Sequence, residues 1–277
     1  MNAMLRRRFL AVFSYLASGT AVSAALGADT EAKFAEGRKR PAPTPRGLSG
    51  WRARIGILYP EDGVLDDEYF RMAPRGVTVH VTRLPSDTAD PQESLIRACS
   101  LFKMINPDCI TYGSNGGSFW DGVGTDQRLI EIMQKAASCP VSTASTGMIR
   151  ALKKLGIQRL AVASPYWREA NERLKRFLEG HGIMVVSLVG PEMQNGEQIS
   201  STPPQVMYRW AVEADRPEAQ GVLLPCTNLR TLEILNSLED DLQKPVVSGN
   251  QAMMWDALML AEVHEPIEGY GRLLKTW

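Results

Sequence analysis

Apolar and polar positions along the chain switch repeatedly between two periods. Short runs rich in aliphatic and β-branched residues read as buried strands: "RIGILYP" (Arg54 to Pro60), "GVTVHVTRLP" (Gly76 to Pro85), "RLAVASPY" (Arg159 to Tyr166), "HGIMVVSLVGP" (His181 to Pro191) and "GVLLP" (Gly221 to Pro225). Between them lie helical spacings. "DPQESLIRACSLFKMI" places Leu95, Ile96, Cys99, Phe102 and Ile105 on one face, and "TDQRLIEIMQKAAS" and "REANERLKRFLEGHG" do the same, the last closing on Gly180 and Gly182. "TNLRTLEILNSLE" reads as a helix starting near Asn228.

The strand signals occur twice in the same order. "RIGILYP" and "RLAVASPY" are offset by 105 residues, and so are "CPVSTAST" (Cys139 to Thr146) and "KPVVSGNQ" (Lys244 to Gln251). The corner after "CITY" (Cys109 to Tyr112) matches the corner after "GVLL" at an offset of 112. Strands alternating with helices imply parallel sheets covered on both faces. The expected fold is therefore α/β: two Rossmann-like parallel-sheet domains related by pseudo-twofold symmetry. Residues 51–147 with 250–277 form the first domain and 148–249 the second. Ligands of such sheets sit at the carboxyl ends of the strands, where Pro60, Ser114, Pro165 and Cys226 fall. That places an active site in the cleft between the domains.

The first residues follow another pattern. Arg6, Arg7 and Arg8 precede a moderately apolar stretch ending in small residues near Ala24 and Ala28, the layout of an export signal of twin-arginine type. Residues 1–28 are read as that signal and 29–50 as a Pro-rich flexible linker. A periplasmic location follows if the signal is used, and a cytoplasmic one if it is not processed.

Composition narrows the ligand. Lys plus Arg and Asp plus Glu both number 31, so no net field points to nucleic acid or an anionic membrane. Of the four cysteines, Cys99, Cys109 and Cys139 sit in apolar patterns and read as packing residues. The three histidines make no metal spacing, and Tyr112 stands where a G-x-S-x-G elbow around Ser114 would need glycine. Neither G-x-G-x-x-G nor a P-loop occurs, so no metal or nucleotide is expected. Cys226 remains: a strand-end thiol before an expected helix, whose N-terminus would draw its pKa toward neutrality. Such a group moves protons at carbon or attacks as a nucleophile, although a packed strand-end cysteine fits the position equally well.

Longer motifs resolve that choice. "GILYP", "YGSNGGSFWDG", "ASPYWREANERLKRFL", "LLPCTNLRTLE", "KPVVSGNQAMMWDAL" and "GYGRLL" run in order from Arg54 to Leu274. The sequence they form resembles the maleate isomerase and arylmalonate decarboxylase group of the aspartate/glutamate racemase superfamily. The resemblance implies a duplicated two-domain fold, a small dicarboxylate substrate, no cofactor, and proton transfer at a carbon next to a carboxylate. By position, Cys226 is the family's second catalytic cysteine. Thr227 would offer its backbone N–H to a carboxylate, Tyr166 its hydroxyl, and Asn195 a substrate-binding amide. Ser114 stands at the first cysteine's place, followed by Asn115 and Gly116 where the family carries Thr-Ser.

Racemisation by two bases needs a thiol on each face of the carbon, and maleate isomerisation needs a thiolate at the first corner. One thiol suffices to protonate the enediolate left when a malonate-type substrate loses CO₂. Decarboxylation is therefore the first reading. An isomerase or racemase in which Ser114 serves the first corner is the second. A non-catalytic periplasmic dicarboxylate-binding protein is the third.

Overall fold

The computed structural model describes residues 48–85 and 90–277. The expected export signal and nearly all of the linker lie outside them. Among the described residues, β1 (Ala53–Pro60), β2 (Val77–Leu84), β3 (Cys109–Tyr112) and β4 (Val141–Thr143) form one parallel sheet, in the order β2-β1-β3-β4. β5 (Arg159–Ala163), β6 (Met184–Val189), β7 (Gly221–Leu224) and β8 (Val246–Ser248) form a second, in the order β6-β5-β7-β8.

The two orders are the same, and so is the register. Ile55 lies beside Cys109 and Ile110 beside Val141; Leu160 lies beside Gly221 and Val222 beside Val246. These pairs keep the offsets of 105 and 112 residues read from the sequence, so the α/β duplication is present in the hydrogen-bond ladder itself.

The helices are α1 (Asp66–Met72), α2 (Pro91–Leu101), α3 (Asn115–Phe119), α4 (Thr125–Gln134), α5 (Ala144–Lys154), α6 (Arg168–Gly180), α7 (Gly196–Ser200), α8 (Pro204–Ala214), α9 (Leu235–Leu242) and α10 (Gly249–Leu260). Asp90 caps α2, accepting from the amides of Gln92 and Glu93 at 2.9 Å, with Pro91 at the first helical position. α6 buries Leu174, Phe177 and Leu178 completely. Burial of each such side chain contributes about 1.5–3 kcal/mol. One expectation fails: no helix begins near Asn228. Residues 227–234 form turns, and α9 starts only at Leu235.

α5 and α10, which leave equivalent strands, pack on each other at the junction of the halves. At Gly147 a Cβ would stand 3.0 Å from the carbonyl oxygen of Ala252 and 3.3 Å from the Cα of Met253, so a side chain there would force the helices apart. At the same packing, buried Asp256 on α10 accepts from Ser142 Oγ on β4 (2.5 Å) and from Arg150 Nη1 on α5 (3.0 Å). α10 also reaches β3, where the Cys109 thiol donates to the carbonyl of Ala257 at 3.2 Å. The two strand-end corners are thus held at a fixed separation by close helix packing beneath them.

Candidate active site

The corners meet in the cleft. After β3 the chain turns through Gly113 to Ser114; after β7 it turns through Pro225 to Cys226. The Thr227 hydroxyl donates to the carbonyl of Gly113 at 2.8 Å, and the Tyr59 hydroxyl, from the end of β1, donates to the carbonyl of Thr227 at 2.6 Å. Gly249, at the start of α10, fits where no other residue would. Its Cβ would stand 2.4 Å from Asn115 Oδ1 and 3.1 Å from the backbone nitrogen of Cys226. Ser114, Asn115, Gly116, Cys226 and Thr227 are all buried around this point.

Cys226 is 7% exposed. Its sulfur accepts the amide of Asn228 at 3.4 Å and the hydroxyl of Tyr166. Burial dominates these donors, and the nearby Asp62 charge adds to it, so the thiol is pushed up to about 11. This reverses the expectation of a lowered pKa. That expectation relied on a helix N-terminus at Asn228, and the structure has a turn there. At neutral pH Cys226 rests as a thiol with its proton in place.

Tyr166 is fixed from both sides. Its backbone bridges to Met193, its carbonyl accepts from Asn171 Nδ2 at 2.7 Å, and its ring meets Phe119 edge-on at 5.7 Å. Ser114 faces a different environment. Its hydroxyl caps α3 by accepting the amide of Gly117 at 3.1 Å and also bonds the Tyr112 hydroxyl. Asn115 is 1% exposed, and its Oδ1 has no hydrogen-bond partner among the described residues. Pro60 begins a turn closed by the amide of Gly63 on its carbonyl (3.0 Å), and this turn brings Asp62 against Gly196. Partial desolvation raises the Asp62 carboxyl above its ordinary range, although the residue is exposed.

The side-chain oxygen of Asn195 caps α7 by accepting the amide of Gln198 at 2.9 Å. The asparagine joined to the Cys226 corner is Asn228. Its side-chain oxygen accepts the amide of Val64 (3.2 Å), and its nitrogen donates to the carbonyls of Asp62 (3.2 Å) and Gly196 (3.3 Å). Sequence reading passed over Asn228, Tyr59, Asp62, Glu68 and Tyr112. One signal was present for some of them. At the 105- and 112-residue offsets Tyr59 faces Ser164 and Tyr112 faces Leu224, so these tyrosines fall where the repeat is broken.

Cys99, Cys109 and Cys139 are buried and form no disulfide among the described residues. Trp120 and Trp167 pack on each other, with centroids 5.8 Å apart, and Arg173 lies over Trp120. No cluster of His, Cys, Asp or Glu among the described residues has the arrangement of a metal site. Each histidine is engaged elsewhere: His80 with Thr78, His181 against Phe177 and His264 against Trp277.

Residues 105–274 match the family described as arylmalonate decarboxylase. The chain is 32% identical over 159 residues to an arylmalonate decarboxylase of Bordetella bronchiseptica, a stretch covering 56% of this chain and 66% of that one. It is 22% identical over 239 residues to a maleate isomerase of Nocardia farcinica, covering 80% and 95% respectively. A solved arylmalonate decarboxylase superimposes with a TM-score of 0.73 at 27% identity, over 80% of this chain and 98% of that one.

Proposed function

The chain belongs to the arylmalonate decarboxylase family, and on that premise we propose that it decarboxylates a malonate-like dicarboxylate without a cofactor, with Cys226 as the single proton donor. The observation that carries this reading is the asymmetry of the corners: a protonated thiol at Cys226 opposite a hydroxyl at Ser114 that is already bonded to Gly117 and Tyr112.

In the proposed reaction one carboxylate of the substrate is held by the backbone amide of Thr227, with Tyr166 and Asn115 beside it. The bond to the other carboxylate breaks and CO₂ leaves. The electron pair passes into the retained carboxylate as an enediolate. Oriented donors in a water-poor site stabilise that charge as it forms. The carbon then takes the Cys226 proton from one face, and solvent reprotonates the thiolate before the next turnover. A donor must hold its proton at rest, and burial of Cys226 supplies that condition. The hydroxyl of Tyr166 and the amide of Asn228 stabilise the thiolate once the proton has left.

The likeness to a maleate isomerase over 80% of the chain favours a second reading, cis–trans isomerisation with Ser114 in the first corner. A panel of 2-substituted malonates and maleate separates the two. CO₂ release from a malonate supports decarboxylation, whereas fumarate from maleate without CO₂ release replaces it with isomerisation.

A further inference from the structure

The loop after Cys226 has a helix-like sequence but does not form a helix. A helix through residues 227–232 would begin with the amide of Thr231 on the carbonyl of Thr227. Both groups are taken by side chains of the first half. The Tyr59 hydroxyl occupies the carbonyl of Thr227 (2.6 Å), and Glu68 Oε1 accepts the amides of Thr231 (2.6 Å) and Leu232 (3.1 Å). Glu68, on α1, is fully buried. Its Oε2 accepts Asn250 Nδ2 at 2.6 Å; Asn250 in turn accepts the Tyr69 hydroxyl (2.9 Å) and follows Gly249, which abuts the Cys226 backbone.

We propose that Glu68 is a positioning residue for Cys226, acting across the cleft: its carboxylate holds residues 227–232 as a turn, which places the Asn228 amide on the sulfur and aims the thiol into the cleft. This inference rests on Cys226 being the acting group of the proposed reaction. Burial pushes the Glu68 carboxyl up to about 7, against the bonds from Asn250, Leu232 and Thr231. Glu233 adds a like charge from the loop, itself paired with Arg71 (2.7 Å) and Arg230 (3.8 Å), and Asp67 pairs with Arg230 at 3.3 Å. Tyr69 and Asn250 complete the surroundings with neutral groups. A proton on either Glu68 oxygen sets a donor against a donor, so the turn loosens as pH falls through the Glu68 transition.

The test follows Cys226 itself, through iodoacetamide alkylation of the full chain mapped by peptide mass spectrometry, together with kcat for CO₂ release across the same pH range. Thiolate fraction alone makes the alkylation rate fall about tenfold per pH unit. In the wild type the fall becomes shallower below about pH 7 as the turn opens, and kcat drops there by about tenfold, as a displaced catalytic group requires. Glu68→Gln keeps an acceptor for the two amides but cannot titrate. Its side-chain NH2 then faces Asn250 Nδ2 as a proton on Oε2 would, so the turn stays loosened at every pH: the alkylation slope stays straight, and kcat is about tenfold lower with no limb near neutrality. Glu68→Ala is alkylated about tenfold faster than wild type at alkaline pH. A wild-type alkylation line without a bend, or a bend that survives in Glu68→Gln, overturns the proposal. Alkylation needs no substrate, so a protein that fails to release CO₂ but shows the bend refutes the proposed reaction and not the role of Glu68.

Discussion

The corner at Ser114 and the corner at Cys226 occupy equivalent places in the repeat, yet their surroundings differ in kind. The first is closed locally. Ser114 accepts the amide of Gly117, and Ser118 donates to the carbonyl of Ser114 at 2.6 Å, so the chain runs straight into α3. The second is held open from outside: Tyr59, Val64, Glu68 and Gly113, all in the first half, bond residues 227–232. A duplicated scaffold thus supplies two similar strand ends, and contacts between the copies hold only the second in the form that the proposed proton transfer uses. The hydroxyl of Ser114 is engaged in structure, while the thiol of Cys226 accepts from Asn228 and Tyr166, two donors that would stabilise its anion.

Breaking this asymmetry outright has the largest effect. Cys226→Ala removes the proton donor and is expected to lower kcat by about a thousandfold, within the range for a general acid. The variant keeps its fold, checked by circular dichroism. Tyr166→Phe removes one of the two donors to the sulfur. It should cost about ten- to a hundredfold in kcat, as losing a hydrogen bond of about 1.5–3 kcal/mol to a charged group implies. Alkaline pH acts on the same atom. The donor must be protonated, so activity is full below the Cys226 pKa and is lost as pH rises through about 11. Each pH unit beyond that point then lowers the rate about tenfold, read from initial rates of CO₂ release. The smallest effect is expected on the other side of the cleft. Ser114→Ala removes a cap and costs about 1 kcal/mol of stability by thermal melting, with kcat changed less than about threefold. A large loss of kcat in Ser114→Ala would mean that the first corner takes part in the chemistry.

Much of this architecture is legible in the sequence because it rests on local pattern. Strand positions and helix caps follow from residues near one another, and "RIGILYP" with "RLAVASPY" already carried the repeat offset that the ladder reproduces. The position of Cys226 at a strand end is of the same kind. What the sequence hid depends on contacts between the halves. Leu229, Leu232 and Leu235 have helical spacing, and no local signal says that Glu68, more than 160 residues earlier, takes the amides a helix would use. The raised pKa of Cys226 was hidden for the same reason: burial and the missing helix terminus are both products of the assembled cleft. Asn228 was missed because an asparagine in a polar turn looks ordinary until Val64, Asp62 and Gly196 arrive around it.

The central claim is that one thiol, on one face, completes the reaction. The direct measurement is NMR of the product formed in D₂O from a 2-substituted malonate, with Cys226→Ala run alongside. The account predicts CO₂ loss, one deuteron per product molecule on a single face of the new stereocentre, and turnover by Cys226→Ala about a thousandfold slower. Product deuterated equally on both faces, or formed just as fast by Cys226→Ala, would contradict it.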